Sequence, residues 1–273
     1  MNSFTVQEPD IASAWIRAIA ELDKWPDRRA YHTIVRINDP LRDDPDTHAR
    51  LDQVLEHLGL QPIETVANTI FPAALAARSR DHALLVSRYL AMYETIHRLS
   101  PRPWWGTYFG RLIAYPSPQH ESPFDQVAAV ISWLSQESSY PSGKTARYET
   151  TIAHPLDSEG IDPRGPDAAT YAVPVQLPGT DTRAMGTPCL SHCSFQLDRR
   201  TRAVHAMAIY RSHYMTERAY GNYLGLGRLL GYIARRSGLE TGTLTVVAGY
   251  AQIEHGTIML VRPLLGGAAS PSS

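Results

Sequence analysis

The stretch Thr187-Pro188-Cys189-Leu190-Ser191-His192-Cys193-Ser194-Phe195, followed through the charged turn Asp198-Arg199-Arg200-Thr201 by residues 203–210 and then Arg211-Ser212, decides the fold. Apolar residues alternate with polar ones on both sides of that turn, which predicts a β-hairpin over residues 193–197 and 203–210. Cys189 and Cys193 stand four apart, so on one strand they face the same side and sit too far apart for a disulfide. His192 then points away from both. A zinc ion held there would lack a fourth ligand, so no metal is expected. A reducing, cytoplasmic setting fits two unpaired thiols.

Working outward, Asn222 opens a helix that runs to Arg236 and closes at Gly238, with two arginines in its last turn where the macrodipole favours cations. Residues 243–248 read as a buried strand. Toward the N-terminus, residues 11–22 predict a helix capped by Asp10, with Trp15, Ile16 and Ile19 on one face, and residues 33–37 a short strand. Asp46 and Thr47 start a second helix that carries Leu51, Val54, Leu55 and Leu58 and stops at Gly59. Residues 81–99 form a third, long and amphipathic. Residues 104–116 read as loop and strand rather than helix, and the helix after Pro123 buries Val127, Val130, Ile131 and Leu134. Residues 157–187, rich in Gly, Pro and Asp, predict a surface insertion with one strand at 171–175. The small, polar residues 266–273 predict a frayed tail, which leaves a single domain over residues 1–265.

A chain of 273 residues, 43% hydrophobic, can bury one large core, and its formal net charge of -1 sets up no long-range field. Nucleic acid and anionic membrane surfaces are therefore not expected partners. No apolar run reaches spanning length, and residues 1–10 lack the basic start and apolar stretch of a secretory signal.

The chemistry sits at Cys189, Arg211, Ser212 and Asn222. A cysteine acts as a nucleophile only as thiolate, and a nearby arginine favours that form. The same cysteine can equally be a small buried hydrophobe. Arg211 and Ser212 offer a planar fork of donors and a hydroxyl to a phosphate or carboxylate. The carboxamide of Asn222 both donates and accepts, which suits the N3–H and O4 edge of uracil; at the start of a helix it can also be a cap.

This order of residues resembles the active-site segment of the thymidylate synthase and deoxycytidylate hydroxymethylase family. There a cysteine after proline opens a strand and an arginine-serine pair closes the next, with the base-reading asparagine eleven residues on, the interval from Arg211 to Asn222. Gly249-Tyr250-Ala251-Gln252-Ile253-Glu254 falls where the family has Gly-Asp-x-His-x-Tyr, and Phe124-Asp125-Gln126 looks like its Asp-Gln helix. Arg147, eight residues before Pro155, matches an arginine the family lends across its dimer, while Ala146 stands where a second would be. The resemblance covers residues 124–256, interrupted between Pro155 and Cys189.

The resemblance implies an α+β fold, a mixed sheet flanked by helices, in a homodimer formed through the sheet face. It implies transfer of a methyl or hydroxymethyl group to C5 of a pyrimidine nucleotide or analogue, with Cys189 attacking the ring and 5,10-methylenetetrahydrofolate as donor. Glu64, after Pro62-Ile63, resembles the family's catalytic glutamate, and as a helix-start carboxylate it also suits the dipole. Trp104 and Trp105, with Tyr108 and Arg111, resemble a wall on which a pterin stacks, although such aromatics also build cores. Gln252 and Glu254 replace the family's ribose-binding His and Tyr, and Leu190, Ser194 and Tyr214 depart from it as well. The family's C-terminal segment that closes over folate has no counterpart after Val261. These losses imply an altered acceptor in specialised metabolism, or a protein that keeps the fold and only binds a nucleotide-like ligand.

Overall fold

The computed structural model describes residues 1–99, 107–115, 123–138, 148–152 and 188–266. The elements run β1 (Thr5–Glu8), α1 (Ile11–Asp23), β2 (Arg29–Ile37), α2 (Pro45–His57), α3 (Ile63–Ile70), α4 (Ala73–Ala77), α5 (His82–Leu99), α6 (Tyr108–Ile113), α7 (Gln126–Glu137), β3 (Glu149–Thr151), β4 (Leu190–Asp198), β5 (Ala203–Tyr214), α8 (Ala219–Arg236), β6 (Glu240–Gln252) and α9 (Ile258–Leu265).

The strands form one sheet in the order β1-β2-β6-β5-β4-β3. The pairs β1/β2 and β5/β6 are parallel and the others antiparallel, so the sheet is mixed. Its two faces differ. One row across it, Val35, Val246, Ala208 and Cys193, is buried. The next row, Ile34, Val247 and Ile209, keeps contact with solvent, as do Tyr31, Met207 and Tyr214. Among the described residues, the helices therefore cover one face and leave the other open.

Helix α8 is the spine of the covered side, with fifteen buried residues from Ala219 to Ala234. Its glycines let α3 approach: a Cβ on Gly221 would meet the Val66 Cβ at 2.7 Å, and one on Gly225 the Ala67 carbonyl oxygen at 2.7 Å. At the far end, Gly238 takes the left-handed backbone (φ 69°) that terminates helices. Helix α1 follows the sequence pattern, with Asp10 accepting from the Ser13 N–H at 2.8 Å and Trp15, Ile16 and Ile19 buried.

Residues 108–113 overturn the expectation of loop and strand. They form a helix because Thr107 caps it, its hydroxyl accepting from the Gly110 N–H at 3.0 Å. All six of its residues are buried, so it has no polar face to give a helical period. The two cysteines do not follow simple alternation either. A bulge between Leu190 and His192 buries Leu190 and Cys193 together, and Cys189 lies one residue before β4. The strands β1 and β3 and the helix α9, which contains Pro263, have no counterpart in the sequence reading. The expected strand at 171–175, Arg147, Trp104 and Trp105 lie outside the described residues. No helix among the described residues is long and apolar enough to cross a membrane.

Candidate active site

The hairpin brings Pro188 and Cys189, at the entry to β4, against Arg211 near the end of β5. The Arg211 N–H donates to the Cys189 carbonyl at 2.8 Å, and its guanidinium donates to the Pro188 carbonyl. This double contact ties Arg211 to the Pro188-Cys189 backbone, and its charge favours the Cys189 thiolate. Arg218, at the N-terminal end of α8, adds a second positive charge near the thiol. Burial nevertheless outweighs both arginines and pushes the Cys189 thiol above its ordinary range. Tyr108 lies buried against the backbone of Cys189 and Leu190, which brings α6 to the same place.

Behind these groups is a buried aromatic cluster. The His213 ring stacks on Tyr210 with centroids 4.4 Å apart and planes 10° apart, and Tyr223 meets it edge-on at 5.6 Å. With no charged partner, burial alone drives the His213 pKa down to about 3, so the ring is neutral. Its Nε2 lies 3.1 Å from the amide nitrogen of Asn222, in the first turn of α8. The phenol oxygens of Tyr210 and Tyr223 are buried and have no hydrogen-bond partner among the described residues.

Asn222 is thus not the cap of α8. The N-cap position is Arg218, without a side-chain cap, and Glu254 instead braces the turn before the helix, accepting from the backbone N–H groups of Thr216 at 3.0 Å and Glu217 at 2.8 Å. Its carboxyl is pushed up by burial, against which those two donors pull. Gln252 accepts from the Tyr250 hydroxyl at 3.0 Å. Ser212 is half-buried opposite Tyr250 in the ladder, and it shares no hydrogen-bond partner with Arg211 among the described residues.

Glu64 occupies the first turn of α3 and grips Arg228 of α8 with both oxygens, at 2.7 and 2.6 Å, and that contact holds its carboxyl below the usual range. It stands beside a polar cluster with no signature in the sequence pattern. His48 Nδ1 lies 2.7 Å from Asp43 and its Nε2 3.6 Å from Asp52, while the Tyr220 hydroxyl donates to Asp43 at 2.6 Å. His213 was equally unanticipated, although it lies one residue past Ser212, where the decisive stretch ends. No group of three or more His, Cys, Asp or Glu side chains placed to hold a metal occurs among the described residues.

The fold and site define an α+β protein in which a free cysteine at a strand entry meets an arginine from the next strand, with an asparagine of the following helix nearby in the chain. Over 77 residues the chain is 32% identical to a putative thymidylate synthase of Methanosarcina mazei, and 34% identical to those of Methanosarcina acetivorans and Methanococcoides burtonii. Each match takes in 28% of this chain, which spans about a third (35%) of the length of those relatives. No protein-family model matches the chain. The similarity is a partial and divergent one.

Proposed function

We propose that the protein transfers a one-carbon unit, as methyl or hydroxymethyl, to C5 of a pyrimidine or pyrimidine-like acceptor through covalent catalysis by Cys189. The observation that carries this reading is the closure of Arg211 on the Pro188-Cys189 backbone, from where its charge favours the Cys189 thiolate. The partial similarity to putative thymidylate synthases supports it.

In this mechanism the Cys189 thiolate adds to C6, and the C5–C6 π electrons move toward O4, where the amide of Asn222 stabilises the enolate by donating to it. C5 becomes the carbon nucleophile. After the new carbon bond forms, loss of the C5 proton would expel the donor's nitrogen from the transferred carbon, and uptake there of hydride, which the reduced folate would supply, for methyl, or of water for hydroxymethyl, would re-form the C5–C6 double bond as the thiolate leaves. Arg211 and Ser212 hold the substrate anion, and Gln252 and Glu254 stand where sugar contacts fall. 5,10-Methylenetetrahydrofolate is the donor in this proposal and supplies the one-carbon unit. Trp104 and Trp105 form its wall, and Tyr108 of the same segment lies beside the Cys189 backbone. Two copies pair across the open sheet face, where Tyr31, Ile34 and Met207 are exposed, and the partner's Arg147 reaches the substrate anion. Because Gln252 and Glu254 differ from the family pattern, the acceptor is a specialised one rather than deoxyuridylate.

One observation favours a second reading, a protein that binds such a ligand without turnover: burial keeps Cys189 protonated against two arginines. Release of label from a C5-deuterated pyrimidine nucleotide, offered with the folate, separates the two. Wild type should release label and Cys189→Ser should not, with circular dichroism unchanged, because the alcohol is far harder to ionise. Equal release by both proteins would overturn the mechanism. Binding without release in wild type would establish the second reading.

A further inference from the structure

We propose that His213 fixes the flip of the Asn222 carboxamide and thereby makes the site select a 4-oxo pyrimidine over a 4-amino one. The inference rests on the reading of Asn222 as the group that meets the base edge, and it adds the residue that decides which edge is read.

A carboxamide by itself is ambiguous. Turned one way it offers N–H to O4 and oxygen to N3–H, as in uracil, and turned over it offers oxygen to the 4-amino group and N–H to N3, as in cytosine. A neighbour that accepts but does not donate removes the ambiguity, because only the amide N–H₂ end can face it. His213 is such a neighbour. Its ring is neutral, its Nε2 lies 3.1 Å from the Asn222 amide nitrogen, and a nitrogen that accepts there leaves the ring proton on Nδ1.

The aromatic packing holds the ring in place, so Nε2 stays the atom that faces the amide, and with the amide nitrogen opposite it Nε2 must be the unprotonated one. Tyr210 lies flat against one side of it at 4.4 Å and Tyr223 abuts it at 5.6 Å, and both phenols are buried. One N–H of Asn222 is then spent on His213. Its second N–H and its oxygen have no hydrogen-bond partner among the described residues, so this pair remains for a ligand. No nearby carboxylate competes for the ring: burial is the sole cause of its depressed basicity.

The test compares the affinities of uridine and cytidine 5′-monophosphates for wild type, His213→Phe and His213→Gln by calorimetry. Phenylalanine keeps the aromatic stack and loses the acceptor, whereas glutamine can restore an accepting oxygen. Wild type should prefer the uridine nucleotide by roughly tenfold or more, the scale of one well-placed bidentate pair. In His213→Phe the ratio should collapse to within about threefold, and in His213→Gln most of it should return. An unchanged ratio in His213→Phe would overturn the proposal, as would a wild-type preference for cytidylate. If wild type binds neither nucleotide, the pyrimidine reading of the site fails and the proposal falls with it, a result distinct from binding with an unaltered ratio. Ring-nitrogen NMR of wild type gives a check that needs no variant: His213 should appear as the Nδ1–H tautomer, and an Nε2–H signal would contradict it.

Discussion

Two histidines pack against neighbouring residues of α8 and have their basicity shifted in opposite directions. His48 touches Tyr220 edge-on at 5.7 Å and lies between Asp43 and Asp52, with Glu64 of α3 also favouring its proton and Arg228 neutralising part of that carboxylate. Hydrogen bonding to Asp43 is the largest cause, and it raises the His48 pKa against the opposing effect of burial. Among the described residues His213 meets Tyr210, Tyr223 and the Asn222 amide, and burial drives its pKa down. His213 is buried and His48 half-buried, so the chemistry of the neighbours decides the direction of each shift. Aromatic walls favour the neutral ring; carboxylate walls favour the cation.

The largest expected effect breaks this contrast at low pH. A neutral folded His213 with a pKa of about 3 must be protonated on unfolding below about pH 6.5, so its burial destabilises the fold increasingly as pH falls from 6.5 toward 3. The penalty reaches on the order of 4 kcal/mol at the acid end. Urea unfolding of wild type and His213→Phe between pH 7 and pH 4 should therefore show a steeper acid loss in wild type, and parallel curves would remove His213 from the acid response.

Asp43→Ala comes next. It strands the Tyr220 hydroxyl and the His48 ring together, which should cost about 2 kcal/mol at neutral pH. Combining it with His48→Ala should give less than the sum of the single changes, since the two residues share one contact. Strict additivity would mean that the cluster is not a unit.

His48→Ala alone tests the opposite sign. The raised folded pKa makes the His48 contribution complete below the unfolded value near 6.5 and removes it as pH rises through the folded value. For a half-buried ring the cost should be about 1 kcal/mol at pH 6 and smaller at pH 9, read by thermal unfolding at both pH values. A larger cost at pH 9 would contradict the assignment. The smallest effect belongs to Glu64→Gln, which breaks a half-exposed pair with Arg228 and should cost under about 1 kcal/mol. A fall in turnover far beyond that cost would give Glu64 the catalytic part.

The parts of the molecule that local pattern governs were legible in the sequence. The hairpin, the Asp10 cap of α1 and the run of α8 follow from alternation, capping chemistry and a C-terminal glycine. Helix α6 hid because every side is buried, and β1 because four residues pairing in parallel with β2 carry too little periodicity. The meeting of Cys189 with Arg211 was foreseeable from their places on a hairpin. The partners of Glu254, Glu64, His48 and His213 were not, because each contact joins segments whose approach is set by tertiary packing.

The central claim is that Cys189 forms a bond to a pyrimidine ring, and intact-mass spectrometry of the denatured protein tests it most directly. Incubation with a 5-fluoropyrimidine nucleotide and methylenetetrahydrofolate should stop the cycle where the C5 proton would leave, because fluorine cannot depart as a cation. Wild type should gain the combined mass of nucleotide and folate on the peptide containing Cys189, and Cys189→Ser should gain none. A wild-type protein that binds the fluorinated nucleotide yet carries no added mass, or an adduct on another residue, would contradict covalent catalysis at Cys189.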